Sequence, residues 1–344
     1  MGATRARAVR WLLSADDHDT VVARAVAVLR AGGLIALPTE TVYGLGADAS
    51  NAAAVGRIFA VKGRPADHPL IVHIAHADAM DDWAQAISPL ARKLATQLWP
   101  GPLTLVLERR PHVLDAVTGG QATIGLRVPA HPLALAVLRE FGGGVAAPSA
   151  NRFGRVSPTS PEHVRSDLGD AVDLIVDGGP CTIGLESTIV DVSRGDDDAV
   201  ILRPGGIGPE VLAEVARRPI PLRESAEVRV PGQLASHYAP RARLFAVDPE
   251  DLDQAVATHG SEALGIIVAG PTNGAPQWTQ RGRAWKVVLD PEHEFARHLY
   301  AVLRELDERG CTVIIATLPA ARELGVAIID RLRRAAGSPP ASSH

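Results

Sequence analysis

Apolar positions along this chain follow two repeating patterns. From Thr20 to Arg30, "TVVARAVAVLR" has the spacing of an amphipathic helix and stops at Gly32-Gly33. Short continuous apolar runs, the pattern of strands buried on both faces, make up the rest of the first two thirds: "LIAL", "PLIVHI", "LTLVLE", "TIGLRV", "GVAAPS", "DLIVDGG", "STIVDV" and "AVILRPG". "LARKLATQL" and "PLALAVLREFG" read as helices between them. So many strands in about 200 residues require one large, twisted, open sheet with helices packed on it, an α/β architecture. Around Pro219 the pattern breaks. "RRPIPLRESAEVRVPGQLASHYAPRAR" has prolines, polar residues and no sustained period, which predicts a linker or an ordered crossing loop over residues 219–240. Beyond it, "RLFAVD", "ALGIIVAG", "AWKVVLD", the helix "EFARHLYAVLRELDERG", "CTVIIATLP" and the helix "GVAIIDRLRRAAG" predict a small, separate parallel-sheet α/β domain. The expected division is a large first domain over 1–218, the linker over 219–240, a C-terminal domain over 241–337 and a disordered tail over 338–344.

The 344 residues are enough for two buried cores, in keeping with that division. No apolar run reaches the about 18 residues needed to span a bilayer, and the start "MGATRARAVRWLLSADDHD" lacks the make-up of a signal peptide, so a cytoplasmic protein with no membrane partner is expected. Cys181 and Cys311 stand far apart, which excludes a disulfide framework or a thiolate zinc site. The net charge of −4 argues against a generally basic coat for nucleic acid and leaves a local basic cleft open. Lys62, Lys93 and Lys286 are the only lysines, so a lysine inside a motif draws attention.

None of the three lysines follows a glycine, so there is no G-K-[ST] phosphate loop, and "GLGADA" and "GGIGPE" fail the G-x-G-x-x-G spacing. His293 and His298 are five apart where one helix face needs four, and His73 and His76 would face opposite sides of a strand. No metal ligands are assigned to the protein.

What remains is a set of polar residues at the ends of apolar strands. "LPTETVYGLG" puts Thr39, Glu40 and Thr41 at the mouth of a buried strand. In "TIGLRV", Ile124, Leu126 and Val128 share one face while Thr123, Gly125 and Arg127 share the other, so Arg127 is either a buried ion-pair partner or an anion clamp. "KGRPADHPL" adds Lys62 and Arg64, which taken alone suit a solvated loop. "APSAN" offers Ser149 and Asn151, "GLESTIVDV" offers Glu186, Ser187 and Thr188, and "ILRPG" ends at Arg203. The last five of these, at one edge of an open sheet, describe a cleft for an anionic ligand, gripped by side chains and ordinary backbone N–H groups.

"PTETVYGLG", "KGRPADHPLIVHI", "PGPLTLVL", "TIGLRVPAHP", "APSAN", "DGG…ESTIVD" and "LRPG" stand in the order found in the YrdC-like family of threonylcarbamoyl-AMP synthases, which this chain resembles over about residues 15 to 215. "PGQLASHYAP" and the "RLF…IDRL" region resemble its long, two-domain form. The resemblance implies an enzyme, a nucleotidyltransferase that converts L-threonine, bicarbonate and ATP into threonylcarbamoyl-AMP and pyrophosphate for N6-threonylcarbamoylation of tRNA. It implies Mg²⁺ with the ATP, and tRNA and a downstream threonylcarbamoyl transferase complex as partners. Position by position, Thr39, His73, Arg127 and Ser187 would hold threonine, and Arg64, His68, Thr123, Ala147, Ser149, Asn151, Arg203 and Tyr238 would hold ATP. Lys62 and Arg64 would act on the reacting phosphates, and the linker carrying His237 and Tyr238 would be a lid. His68 stands where the family usually has asparagine, and "QLAS" departs from the family's usual linker. Two other readings use the same residues: an RNA-binding module with Lys62, Arg64, Arg127 and Arg203 on a concave sheet, and an ATP-dependent carbamoyl-transfer enzyme with another acceptor.

Overall fold

In the computed structural model, residues 10–12, 17–223, 228–232, 237–290 and 293–337 are described. The tail over 338–344 and residues 224–227 and 233–236 of the linker lie outside them. The first sheet has eleven strands among the described residues. It runs from Arg10–Leu12 through Leu174–Val176, Ile35–Leu37, Gly44–Asp48, Val145–Ala146, Ile71–His73, Thr123–Arg127, Leu103–Arg109 and Thr188–Asp191 to Val200–Arg203, with Ala84–Gln85 added against Leu103–Arg109. Pairing is mixed: Ile71–His73 lies parallel to Thr123–Arg127, whereas Leu103–Arg109 is antiparallel to it and parallel to Thr188–Asp191. The alternation in "TIGLRV" holds, since Ile124, Leu126 and Val128 enter the main core.

Local signals set the elements that carry the polar residues. Asn51 caps the helix Ala52–Lys62 by accepting from Ala53 N and Ala54 N, and Gly63 ends it in the left-handed region at φ 65°. Arg64 therefore leaves the helix at a fixed angle. The turn after Arg203 packs directly on the Glu186–Ser187 backbone, and a Cβ on Gly205 would lie 2.3 Å from Glu186 O, so only glycine allows this approach.

The second sheet orders its strands Arg243–Val247, Val313–Thr317, Leu264–Ala269, Ala284–Leu289 and Gln277–Arg281. The first four are mutually parallel, and Gln277–Arg281, which the apolar pattern did not reveal because its side chains are largely exposed, adds an antiparallel edge. This second sheet packs against the first through a shared apolar core. Val42, Val156 and Leu185 of the first domain share one core with Tyr238 and with Phe295, Leu299 and Tyr300 of the helix His293–Glu308. Gly184 lets that helix approach so closely that a Cβ would meet Arg297 O at 2.4 Å. The described parts of the linker are tied to the first domain: Ile201 N donates to Pro221 O, Arg229 N to Gln121 Oε1, and Ala239 N to Gly154 O. No described helix is long and apolar enough to cross a membrane.

Candidate active site

Strand ends, loops and linker enclose one cleft of about 560 Å³, including space open to solvent. All five polar strand ends named from the sequence reach it, through Arg64, Arg127, Ala147 with Ser149, Glu186 with Ser187, and Arg203, and Thr39 and His73 join them. The linker closes one side with Pro231, Gly232, His237 and Tyr238.

Arg127 is a buried ion-pair partner that also lines the cleft. Its Nη2 donates to Glu40 Oε1 at 2.7 Å and its Nε to Gly101 O at 3.3 Å, while Ala130 N donates to Glu40 Oε2 at 2.9 Å. The guanidinium is thus oriented from behind, and it still lines the cleft. Arg203 works similarly: Nε and Nη2 donate to Ser187 O, Nη2 also to Ser187 Oγ, and Nη1 to Pro231 O, which ties the Glu186–Ser187 turn to the linker. Ser187 Oγ is also within 2.8 Å of Thr104 Oγ1. Thr39 closes its own turn, Oγ1 donating to Val42 O at 2.6 Å and accepting from Thr41 N and Val42 N.

Other expected residues lie elsewhere. Lys62 is buried behind the cleft, its Nζ donating to the carbonyls of Ser149 and Asn151 and to Asn151 Oδ1, so the solvated-loop reading of this cation is overturned. Asn151 is spent on the same loop, its Nδ2 donating to Arg152 O and Arg155 O. His68 stands half-buried with its ring edge-on to Phe153 at 5.4 Å, outside the cleft. Thr123 lines an adjoining hollow under Val228–Pro231 that shares Ile71 and Pro231 with the cleft. The burial of the cations also removes the RNA-surface reading. Lys62, Arg64, Arg127 and Arg203 are only 3%, 7%, 4% and 3% exposed, out of reach of a polyanion backbone, which needs exposed charge.

Glu186, displayed by "GLES" among the polar residues of the strand ends, has no individual role in the sequence reading. Its Oε1 accepts from Ser157 Oγ at 2.6 Å, and its Oε2 accepts from Tyr300 OH and from Arg331 Nε, each at 2.8 Å. Burial alone would raise its carboxyl; the charges of Arg331 and Arg203 and these hydrogen bonds overcome that and hold it at about 2. Tyr300 and Arg331 come from the C-terminal domain and had no signal in the sequence, where "EFARHLYAVLRELDERG" and "GVAIIDRLRRAAG" read only as helices.

Three cleft residues carry a buried nitrogen with no protein partner among the described residues: Arg64 Nε, His73 Nδ1 and His237 Nδ1. Unmet polar groups of this kind are costly unless a ligand or water meets them. Burial, reinforced by Arg127, lowers His73 to about 3, and burial with Lys62 and Arg64 lowers His237 to about 3 against a pull from Glu186. His163, beside Arg304, is lowered to about 4, mainly by burial. All three imidazoles are therefore neutral in the folded chain, while unfolded histidine gains its proton near 6.5. Below that pH the unfolded state binds more protons than the native one, so stability is full above pH 6.5 and falls as pH drops toward 3. Each histidine contributes at most about 1.4 kcal/mol per pH unit. The urea midpoint should be flat from pH 8 to 7 and fall steeply from about 6.5 to 5. A midpoint that holds to pH 5 would mean that these rings are protonated in the native state.

Among the described residues no group of three or more His, Cys, Asp or Glu could hold a metal ion. A family model for Sua5, YciO and YrdC, described as telomere recombination, matches residues 27–205, and one for the threonylcarbamoyl-AMP synthase C-terminal domain matches 207–337. The threonylcarbamoyl-AMP synthase of Pyrococcus abyssi is 40% identical over 326 residues, 91% of this chain and 93% of that one. That of Bacillus subtilis is 41% identical over 345 residues, 95% and 97% of the two chains. The crystal structure of P. abyssi Sua5 complexed with L-threonine superposes with a TM-score of 0.86 at 36% identity, covering 96% of this chain and 97% of that one.

Proposed function

The chain belongs to the Sua5/YrdC family and makes threonylcarbamoyl-AMP, and from this premise we propose that the cleft between sheet and linker is where L-threonine, bicarbonate and ATP react. The observation that carries the assignment is the set of buried, pre-oriented cations with unmet nitrogens on one small cleft. Arg127 receives the threonine carboxylate, with Thr39, His73 and Ser187 around the rest of the amino acid. Neutral His73 meets a polar group of the substrate without adding charge. Arg64, Ala147, Ser149, Arg203 and Tyr238 face the nucleotide, while Lys62 and Asn151 hold the Ser149 loop from behind. His68 and Thr123 are peripheral to it.

Threonine nitrogen takes up the carbon of bicarbonate with loss of water. A carbamate oxygen then attacks the α-phosphorus of ATP, and the bond to pyrophosphate breaks. Arg64 and Arg203 neutralise the charge that builds on the phosphates, and the site otherwise works by alignment. Glu186, the cleft's acid, is saturated by three donors and strongly acidic, which makes it a poor base. For the same reason the protein's own residues do not fit a Mg²⁺ site; an ion arriving with ATP would be held by the triphosphate, and no step is assigned to it. The linker over 219–240, whose Pro231, Gly232, His237 and Tyr238 line one side of the cleft, acts as a lid that shields the carbamate from water. Transfer of the threonylcarbamoyl group to tRNA by a partner enzyme, in the cytoplasm, belongs to the same proposal.

Pyrophosphate release from ATP should require L-threonine and bicarbonate together, and in the same samples ATP with threonine should protect residues 228–240 from protease. Equal release without threonine would leave an ATP hydrolase or another acceptor as the better reading; unchanged cleavage would remove the lid.

A further inference from the structure

One side chain of the C-terminal domain reaches the back of the cleft. Arg331, on the helix Leu324–Ala335, is 1% exposed. Its Nε donates to Glu186 Oε2 at 2.8 Å, its Nη2 to Pro204 O at 2.9 Å, and its guanidinium carbon lies 5.0 Å from the centre of the Tyr238 ring. Tyr300 joins it: the hydroxyl donates to the same Glu186 oxygen, and the ring stacks on Tyr238 at 5.8 Å. Glu186, Pro204 and Tyr238 belong to three different segments around the cleft: the turn before Ser187, the turn after Arg203, and the linker. Neither Arg331 nor Tyr300 lines the cleft itself, and the chemistry proposed above does not use them.

We propose that Arg331, with Tyr300 beside it, is a positioning residue through which the C-terminal domain sets the geometry of the active site. It fixes the Glu186 carboxylate, and with it the Ser187 backbone that Arg203 grips, and it seats the Tyr238 ring against the cleft. The inference rests on the reading of the cleft as the site of threonylcarbamoyl-AMP synthesis. A buried ion pair serving stability alone would be replaceable by apolar packing, often without loss. This one is different because the carboxylate it holds sits next in the chain to Ser187, whose carbonyl accepts twice from Arg203. Without Arg331, Glu186 keeps, among the described residues, only the hydroxyls of Ser157 and Tyr300, and the turn that seats Arg203 loses its charged anchor.

The test uses the full chain and the threonine-dependent pyrophosphate assay. Arg331→Lys keeps the charge but loses the planar fork. Its kcat should fall about tenfold or more, the scale of one charge-assisted hydrogen bond, with smaller changes in KM for threonine and ATP. Arg331→Ala should fall further and be partly restored by millimolar guanidinium chloride, but not by ammonium chloride. A folded Arg331→Lys protein with the kcat of the unsubstituted chain overturns the proposal, as does a loss in Arg331→Ala that guanidinium leaves untouched. If neither variant folds, Tyr300→Phe decides, because it removes one hydroxyl and no charge. Its kcat should fall about threefold or more, from the one hydrogen bond lost, and an unchanged kcat overturns the proposal. Failure of the underlying functional reading would look different: the unsubstituted chain would release no threonine-dependent pyrophosphate.

Discussion

Arg127→Lys is expected to raise the threonine concentration for half-maximal pyrophosphate release about tenfold or more, with little change in ATP binding. The guanidinium is committed on one side to Glu40 Oε1 and Gly101 O, and no bond from Nη1 is found among the described residues. It can therefore keep its internal partners and still grip a carboxylate. A lysine ammonium is compact and can satisfy Glu40, but it cannot reproduce the rigid fork that serves two carboxylates at once. The loss of one charge-assisted hydrogen bond to the substrate, about 1.5–3 kcal/mol, sets the size of the effect. Lysine is the informative replacement, since alanine would strand Glu40 in the interior at a cost of about 3–5 kcal/mol and confuse affinity with folding. Threonine titrations and a melting curve on the same preparation check this. A stable variant with unaltered threonine use would mean that the carboxylate binds elsewhere, and a fall in melting temperature that harms both ligands equally would leave Arg127 as an ion pair only.

Lys62→Met is expected to have the largest effect on stability, about 3–5 kcal/mol, because it strips a donor from three buried acceptors, each worth about 1–3 kcal/mol when stranded. Those acceptors are Ser149 O, Asn151 O and Asn151 Oδ1, on the loop that carries Ser149 to the cleft. Burial and the neighbouring Arg64 push the Lys62 pKa well below its ordinary value, which suits a lysine kept as an internal donor more than one turned to phosphate. The melting temperature should drop by roughly 4–7 °C for a chain of this size, with activity lost through the loop. A stable Lys62→Met protein that binds threonine normally and has lost only ATP would return Lys62 to the phosphates.

The sequence determined more than the fold class. Strand parity in "TIGLRV" separated the core residues Ile124, Leu126 and Val128 from Arg127, because a two-residue period is a property of any strand wherever it sits. The ordered motifs likewise named the loops that meet at the cleft, since a hydroxyl or a guanidinium at the end of an apolar strand stands out against its own neighbours. Tertiary structure alone decided what lies behind each of those residues. Lys62 looks from the sequence like a surface cation beside Arg64; it is buried because the Ser149–Asn151 loop, some 87 residues later, folds over its ammonium. Arg331 is in the sequence only one of several arginines on a last helix; it is buried because that helix packs against the seam and Glu186, 145 residues earlier, meets it there. A long charged side chain has no periodicity that reveals its partner. Whether it is solvated or interred depends on which acceptors the packing brings within about 3 Å, and only the folded chain fixes that distance.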